Sequence, residues 1–318
     1  MKKYFSVARI LSLVFVASVL VRLTIKDRFI GFSTWYYITP WSLLAGLSLI
    51  ISALYAQKRR FRFALLFWLL AIATCVCWLA NGYRRQAPTA VPEAIKLMFW
   101  NADHARYGIG KAIVQVQDVD ADIVCLVEAG REKEIKEEWK KAFAYQTVKL
   151  LFGEMLLTTK GKIIEKNSND LAAGGRYNWI KLAIKNTEVS IILVDIPPDP
   201  LQSRAPAFAE LEKVIALHSA ENLIIVGDFN TPGDSVHFAP LRENFNNAFE
   251  VSGEGFSATW PLPVPLLAID HIWTKKNFAV YETTLLPSWS DHRALVTYVA
   301  LMNDANLSAT ESQSKTAP

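Results

Sequence analysis

Acidic residues are nearly missing from the first quarter of this chain, and cysteine is scarce throughout. Residues 1–85 hold twelve Lys and Arg but one acid, Asp27, a net charge of +11. The remainder reverses this, with 22 Lys and Arg against 29 Asp and Glu, a net −7. The whole-chain excess of +4 therefore belongs to the first 85 residues. An acidic remainder argues against non-specific nucleic-acid binding through a basic surface. Of the three cysteines, Cys75 and Cys77 share one apolar run and Cys125 stands alone in another, ADIVCLVE. Cys125 has no partner in the acidic part, so no disulfide is expected there. No internal repeat is visible.

What the first 85 residues do have is hydrophobic length. Residues 10–21 (ILSLVFVASVLV) extend to about Val7 if Arg9 snorkels, and residues 34–56 and 63–80 carry no charge. A spanning helix needs roughly 20 apolar residues. The pattern predicts a three-helix anchor with spans at about 7–23, 34–56 and 63–80. The first run is short enough for a signal sequence, but no small-x-small cleavage site precedes a soluble chain. Trp35, Tyr36, Tyr37, Trp41 and Trp78 suit an interfacial belt. One flank holds Lys2, Lys3, Lys58, Arg59, Arg60 and Arg62, and the other Arg22, Lys26, Arg28, Arg84 and Arg85. The dense QKRRFR loop points its side to the cytoplasm. The chain then reads as an integral protein of a bacterial inner (cytoplasmic) membrane, with its acidic domain extracytoplasmic.

Residues 86–94 (QAPTAVPEA) read as a linker and 95–301 as one domain, followed by a polar, Ser/Thr-rich tail at 302–318 expected to be disordered. Strands are expected at 95–101, 122–128, 146–151, 154–159, 178–185, 188–195, 223–226, 267–274, 278–285 and 292–300. Helices are expected at 111–117, 131–143 and 205–219, the second amphipathic with Glu/Lys pairs at helical spacing. This order predicts an α/β fold, a sandwich of two sheets face to face with helices outside.

The ends of these strands carry the chemistry. IKLMFWNAD ends in Asn101 and Asp103, and DIVCLVE in Glu128. LIIVGDFNTPGDS ends in Asp228 and Asn230 before good turn residues. LLAIDHIW sets Asp270 and His271 inside an apolar run, and PSWSDHRAL sets Asp291 and His292 before the last strand. One such residue is ordinary strand-end behaviour, but five separate elements are not. Carboxylates, an amide and waters hold a hard cation such as Mg²⁺, and that ion screens a phosphate and stabilises a leaving oxygen. An Asp/Asn pair can orient and deprotonate water, and a His on a buried Asp can transfer a proton.

With these motifs in this order, residues 95–301 resemble the endonuclease/exonuclease/phosphatase superfamily, the DNase I-like enzymes. The resemblance implies a four-layer α/β sandwich with the site at one end of the sheets, and Mg²⁺ or Mn²⁺ as cofactor. It implies Glu128 as principal metal ligand with Asn101 beside it, Asp103 as a second acid, and Asp291 as another metal-site acid. It implies Asp228 as the residue acting on the attacking water and Asn230 as a holder of phosphate or water. His292 resembles the catalytic histidine, and Asp270 the carboxylate that orients it.

One position departs. Where many relatives carry a second His or a Tyr, the strand IILVDIPPDP offers Asp195, an anion that repels phosphate unless it binds metal or is protonated. Arg176 or Arg204 is expected to supply the missing positive contact. His104, His218 and His237 read as surface or satisfied histidines, and His271, on the opposite strand face, as packing. Trp260 reads equally as core or as groove wall. The function expected is metal-dependent phosphoester hydrolysis by in-line attack of water. Substrates near a bilayer are favoured, a lipid headgroup or a nucleotide, over nucleic acid. The alternatives are a membrane-tethered nuclease and a degenerate phosphate-binding module. No specific protein partner is inferred.

Overall fold

The computed structural model describes residues 2–85, 93–130 and 133–302. The expected linker lies outside the described residues as far as 92, as do 131–132 of the amphipathic helix and the tail from 303.

The N-terminal helices are α1 (Lys2–Leu20), which runs into a π-helical turn at Val21–Ile25, then α2 (Phe32–Ile38), α3 (Trp41–Gln57) and α4 (Phe61–Gly82). Residues Val7–Ile25 and Phe61–Gly82 form two helices long and apolar enough to cross a membrane. The expected second span is not one helix: α2 and α3 meet at 74°. Pro40 lacks the N–H that a continuing helix would use and forces Thr39 out of the helical region, to φ −119°. α3 packs against α1 and α4, in part through small polar groups. Ser48 and Ser52 donate to the carbonyls of Phe67 and Ala64, each at 2.7 Å, and Phe67 stacks on Tyr55 and meets Phe15 edge-on.

The strands are β1 (Tyr83–Arg85), β2 (Ile95–Asn101), β3 (Ile123–Val127), β4 (Thr147–Leu150), β5 (Leu156–Thr159), β6 (Lys162–Asp170), β7 (Arg176–Ile184), β8 (Thr187–Asp195), β9 (Leu223–Asp228), β10 (Phe245–Asn247), β11 (Glu254–Phe256), β12 (Asp270–Lys275), β13 (Phe278–Leu286) and β14 (Ala294–Leu301). Between them lie α5 (Ile109–Val119), α6 (Lys133–Ala142), α7 (Ala205–Leu217), α8 (Ala239–Asn244) and α9 (Ala248–Ser252). One six-stranded sheet runs β10-β12-β9-β8-β7-β6 and the other β13-β14-β2-β3-β5-β4. Within each sheet one pair is parallel, β8 with β9 and β2 with β3, and the rest are antiparallel.

The four layers follow from strands that are apolar on both faces. In β9, Ile224 and Val226 enter the core between the sheets while Leu223 and Ile225 face α7. In β2, Leu97 and Phe99 point inward while Met98 and Trp100 meet α5 and α6. The expected two-sheet sandwich with helices outside is therefore present. The strand expected at 267–274 begins only at Asp270, because Leu267 instead pairs with Trp260 in an isolated bridge.

Candidate active site

The polar strand ends converge at one end of both sheets. The register places Arg176, Asp195, Asp228 and Asp270 side by side across four neighbouring strands, β7, β8, β9 and β12. Opposite them, β2 ends at Asn101, and Glu128 follows β3 with φ +50°. A left-handed residue at that point ends the strand and turns the chain away. Gly227 allows the row to form: a Cβ there would lie 2.0 Å from the Val194 carbonyl oxygen on β8. This is the physical reason for the Gly in the GDFN motif.

The two sheets are joined at their ends by hydrogen bonds. Asn101 Nδ2 donates to Asp228 Oδ2 at 3.0 Å, while Asn101 Oδ1 accepts from the Asp103 N–H at 3.0 Å. Asp228 Oδ1 accepts the Asn230 N–H at 2.8 Å, and Asn230 Nδ2 donates to the Ile196 carbonyl at 2.8 Å. His292 Nδ1 sits 2.8 Å from Asp270 Oδ2, which leaves Nε2 turned toward Asp228 Oδ2 at 3.9 Å and Asp291 Oδ1 at 3.8 Å. Ser290 fixes this loop by donating to the Asn101 carbonyl and accepting the His292 N–H. Thr259 holds the Asp270 N–H from behind.

Burial opposes the charged form of His292, but Asp270, through its charge and its hydrogen bond, prevails, and Asp228 and Asp291 add to it. The imidazole is pushed up to about 10 and carries its proton at neutral pH. Asp228, fully buried, is held well above the usual carboxylate range by desolvation and then by Asp270, with His292 opposing. Burial raises Asp103 too, followed by the charge of Asp291. Asp195 is pushed up to about 7, first by burial and then by Glu128, with Arg176 opposing and Glu154 adding.

Glu128 is half-buried, with its carboxylate 3.2 Å from His104 Nε2; the other ring nitrogen of His104 lies 3.1 Å from Glu154 Oε2. His104, read from sequence as a surface or satisfied histidine, is exposed yet bridges two acids of the site. Glu154 was missed altogether. It sits in a short turn at φ +63°, and no motif in the sequence marks it. Trp260 is half-buried beside the site: its Nε1 donates to Asp291 Oδ2 at 3.0 Å, and its ring centre is 6.5 Å from that of His292. Arg204 does not reach toward a phosphate. It is buried, donates to the Asp199 carbonyl at 2.7 Å, and braces the Asn230 carbonyl at 3.5 Å. His271 packs as expected, with Nε2 3.0 Å from the Thr231 carbonyl, and His218 stacks on Trp179.

Asn101, Asp228, Asp270, Asp291 and His292 are thus brought together, with Asn230 beside them. Glu128 lies with His104 and Glu154, and Asp103 is paired with Arg106 at 3.2 Å. Among the described residues, the one group of three His, Cys, Asp or Glu side chains with ligand atoms within 4.8 Å of one another is Asp228, Asp270 and His292. The short His292–Asp270 contact is the geometry of an oriented imidazole.

The model of the endonuclease/exonuclease/phosphatase family matches residues 98–292. The chain belongs to this family. Its members are hydrolases of phosphoester bonds that generally use divalent metals. Solved structures agree in fold. A family protein from Bacteroides thetaiotaomicron is 16% identical, with a TM-score of 0.54 over 68% of this chain and 100% of that one. The human Nocturnin catalytic domain with bound sulfate is 17% identical, with a TM-score of 0.53 over 69% and 97%. A mannosyl-6-phosphatase from Bacteroides thetaiotaomicron is 18% identical, with a TM-score of 0.53 over 65% and 100%. No curated protein matches the chain.

Oxygen donors of the kind a hard divalent ion takes gather at this end of the sheets. Glu128, Glu154 and Asp195 crowd one corner, and their mutual repulsion helps push Asp195 up. A dication is the charge such an oxygen-donor set favours.

Proposed function

We propose that this chain is a membrane-anchored, Mg²⁺- or Mn²⁺-dependent phosphoesterase that cleaves its ester by in-line attack of water. The observation that carries this reading is His292, held by Asp270 at 2.8 Å and turned from the loop before β14 toward Asp228 on the other sheet. Glu128, together with Asn101, Asp103 and Asp291 at the same end of the sheets, would hold the ion. When bound, the ion supplies charge that screens the phosphate and stabilises the leaving oxygen.

The chain's own residues do the rest. Asp228 receives two donors, Asn101 Nδ2 and the Asn230 N–H, which fix both carboxylate oxygens and aim them at one place. In that position it orients the water and, in its ionised form, takes its proton. Asn230, locked to the Ile196 carbonyl and braced by Arg204, stands beside the same water or the phosphate. His292 enters with its proton on and faces the developing negative charge. The new bond joins the water oxygen to phosphorus, the bond to the leaving oxygen breaks, and that oxygen takes a proton from His292. Asp195, neutral in part at pH 7, limits the repulsion its position would otherwise cause, and Arg176 is the nearest cation in the row.

Metal dependence is checked with the full chain in detergent. Mg²⁺ or Mn²⁺ is expected to raise its thermal midpoint and support hydrolysis of bis(p-nitrophenyl) phosphate, with both effects removed by EDTA and strongly weakened in Glu128→Ala. Hydrolysis that persists in EDTA would contradict the reading.

A further inference from the structure

The catalytic mouth and the membrane anchor are on the same face of the molecule. The site lies where β8 and β9 end and β12 begins, so the loops 196–204, 229–238 and 257–269 all leave from that end. The N-terminal module binds these same loops. Arg22, buried, pairs with Asp234 at 2.9 Å, and Lys26 donates to the Asp234 carbonyl at 2.8 Å. Asp27, also buried, accepts from Ser235 Oγ, from the Val236 N–H at 3.1 Å and from Tyr37 Oη at 3.1 Å. Thr34 on α2 donates to the Pro200 carbonyl. At the end of α4, Trp78 stacks on Phe256 at 4.8 Å and the Gly82 carbonyl accepts the Ser257 N–H at 2.8 Å, while β1 pairs with β11.

Two further observations fix what this face meets. α2, turned 74° from α3, leaves Phe32, Trp35 and Ile38 exposed, the last at 65%. A short helix with such a face lies in a bilayer interface. Exposed apolar side chains also stand on the catalytic loops of this end. Leu201 is 74% exposed and Val264 66%, with Trp289, Tyr107 and Phe152 on the loops around the opposite sheet. Arg28, Arg84 and Arg85 flank the same face with positive charge, which draws anionic lipid. A cavity of about 300 Å³ runs between anchor and domain, walled by Arg22, Trp41, Trp78 and Phe256 and reaching Asp270.

We propose that the substrate is a phospholipid, whose phosphoester reaches His292 and Asp228 from the bilayer surface over the rim of Leu201, Val264 and Trp289. This rests on the phosphoesterase reading above and names its substrate class. The reaction is the same hydrolysis: water adds to phosphorus, the bond to one ester oxygen breaks, and that oxygen leaves protonated. The anchor holds the mouth against the surface where such phosphates are concentrated.

The test uses the full chain reconstituted in vesicles of phosphatidylglycerol, phosphatidylethanolamine and phosphatidic acid, with phosphorus NMR to follow lipid phosphate. Bis(p-nitrophenyl) phosphate and glycerol phosphate serve as soluble esters. Expected is metal-dependent loss of lipid phosphoester at a rate at least tenfold above that of glycerol phosphate. In the double variant Leu201→Asp, Val264→Asp, lipid turnover should fall about tenfold while bis(p-nitrophenyl) phosphate turnover is unchanged. Turnover of the soluble esters with no lipid product overturns the proposal and leaves the phosphoesterase reading standing. An equal fall on both substrates in the double variant overturns the role of the rim. No turnover of any ester overturns the parent reading, and this proposal with it.

Discussion

At the scale of single residues, Asp195 is the most informative departure, because a carboxyl in the row beside Asp228 and near Glu128 is driven toward its neutral form. Burial and Glu128 push it up to about 7, whereas in the unfolded chain it titrates near the ordinary carboxylate value. The sign follows from linkage. Below about pH 4 both states are protonated and the group contributes no difference. Between about 4 and 7 only the unfolded state releases its proton, so Asp195 costs progressively more stability as pH rises. Asp195→Asn removes that cost. In EDTA, its thermal midpoint should equal the wild type's near pH 4 and exceed it by a margin that widens to pH 7.5; a constant margin would refute the assignment. Most of the site was legible in the sequence because Asn101, Asp228, Asp270 and His292 each interrupt or end an apolar run, where a solvent-facing residue has no reason to be. His104 and Glu154 were not legible. Both sit in turns with positive φ, where polar residues are common, and only the fold brings them to Glu128.

At the scale of elements, the site depends on how closely β8 and β9 approach. Gly227 faces the Val194 backbone with no room for a methyl group. Gly227→Ala is expected to cost about 1–3 kcal/mol of stability through overpacking. It should also lower kcat about 10²-fold by displacing Asp228, since small misplacements at a reacting centre carry that penalty. A melting curve and a steady-state assay read the two effects; an unchanged kcat would show that the GDFN glycine does not position the acid. Strands buried on both faces were readable as apolar runs. β6 was not, because it is an exposed edge strand with the sequence KIIEKNSND and neither alternation nor apolar length. The expected second span differs from the structure at one joint, where it is a bent pair of helices. Residues 34–56 form an uncharged run of spanning length, but composition hides the chain break that Pro40 imposes.

At the scale of the whole molecule, the uneven charge of the sequence has a structural counterpart. The one acid of the first 85 residues, Asp27, is buried against the turn that follows Asp228 and Asn230, and Arg22 and Lys26 close on Asp234 beside it. The N-terminal helices are thereby tied to the loop that follows Asp228. Both sheets and the N-terminal helices meet at one end, where His292 faces Asp228 across the gap between the sheets. The measurement that tests this account most directly is the metal-dependent hydrolysis of bis(p-nitrophenyl) phosphate by the full chain and by its His292→Ala variant. A loss in kcat of about 10²–10⁴-fold, the scale of a lost proton-transfer group, with the fold and metal-induced stabilisation retained, is the predicted result. Undiminished turnover in the variant would contradict it.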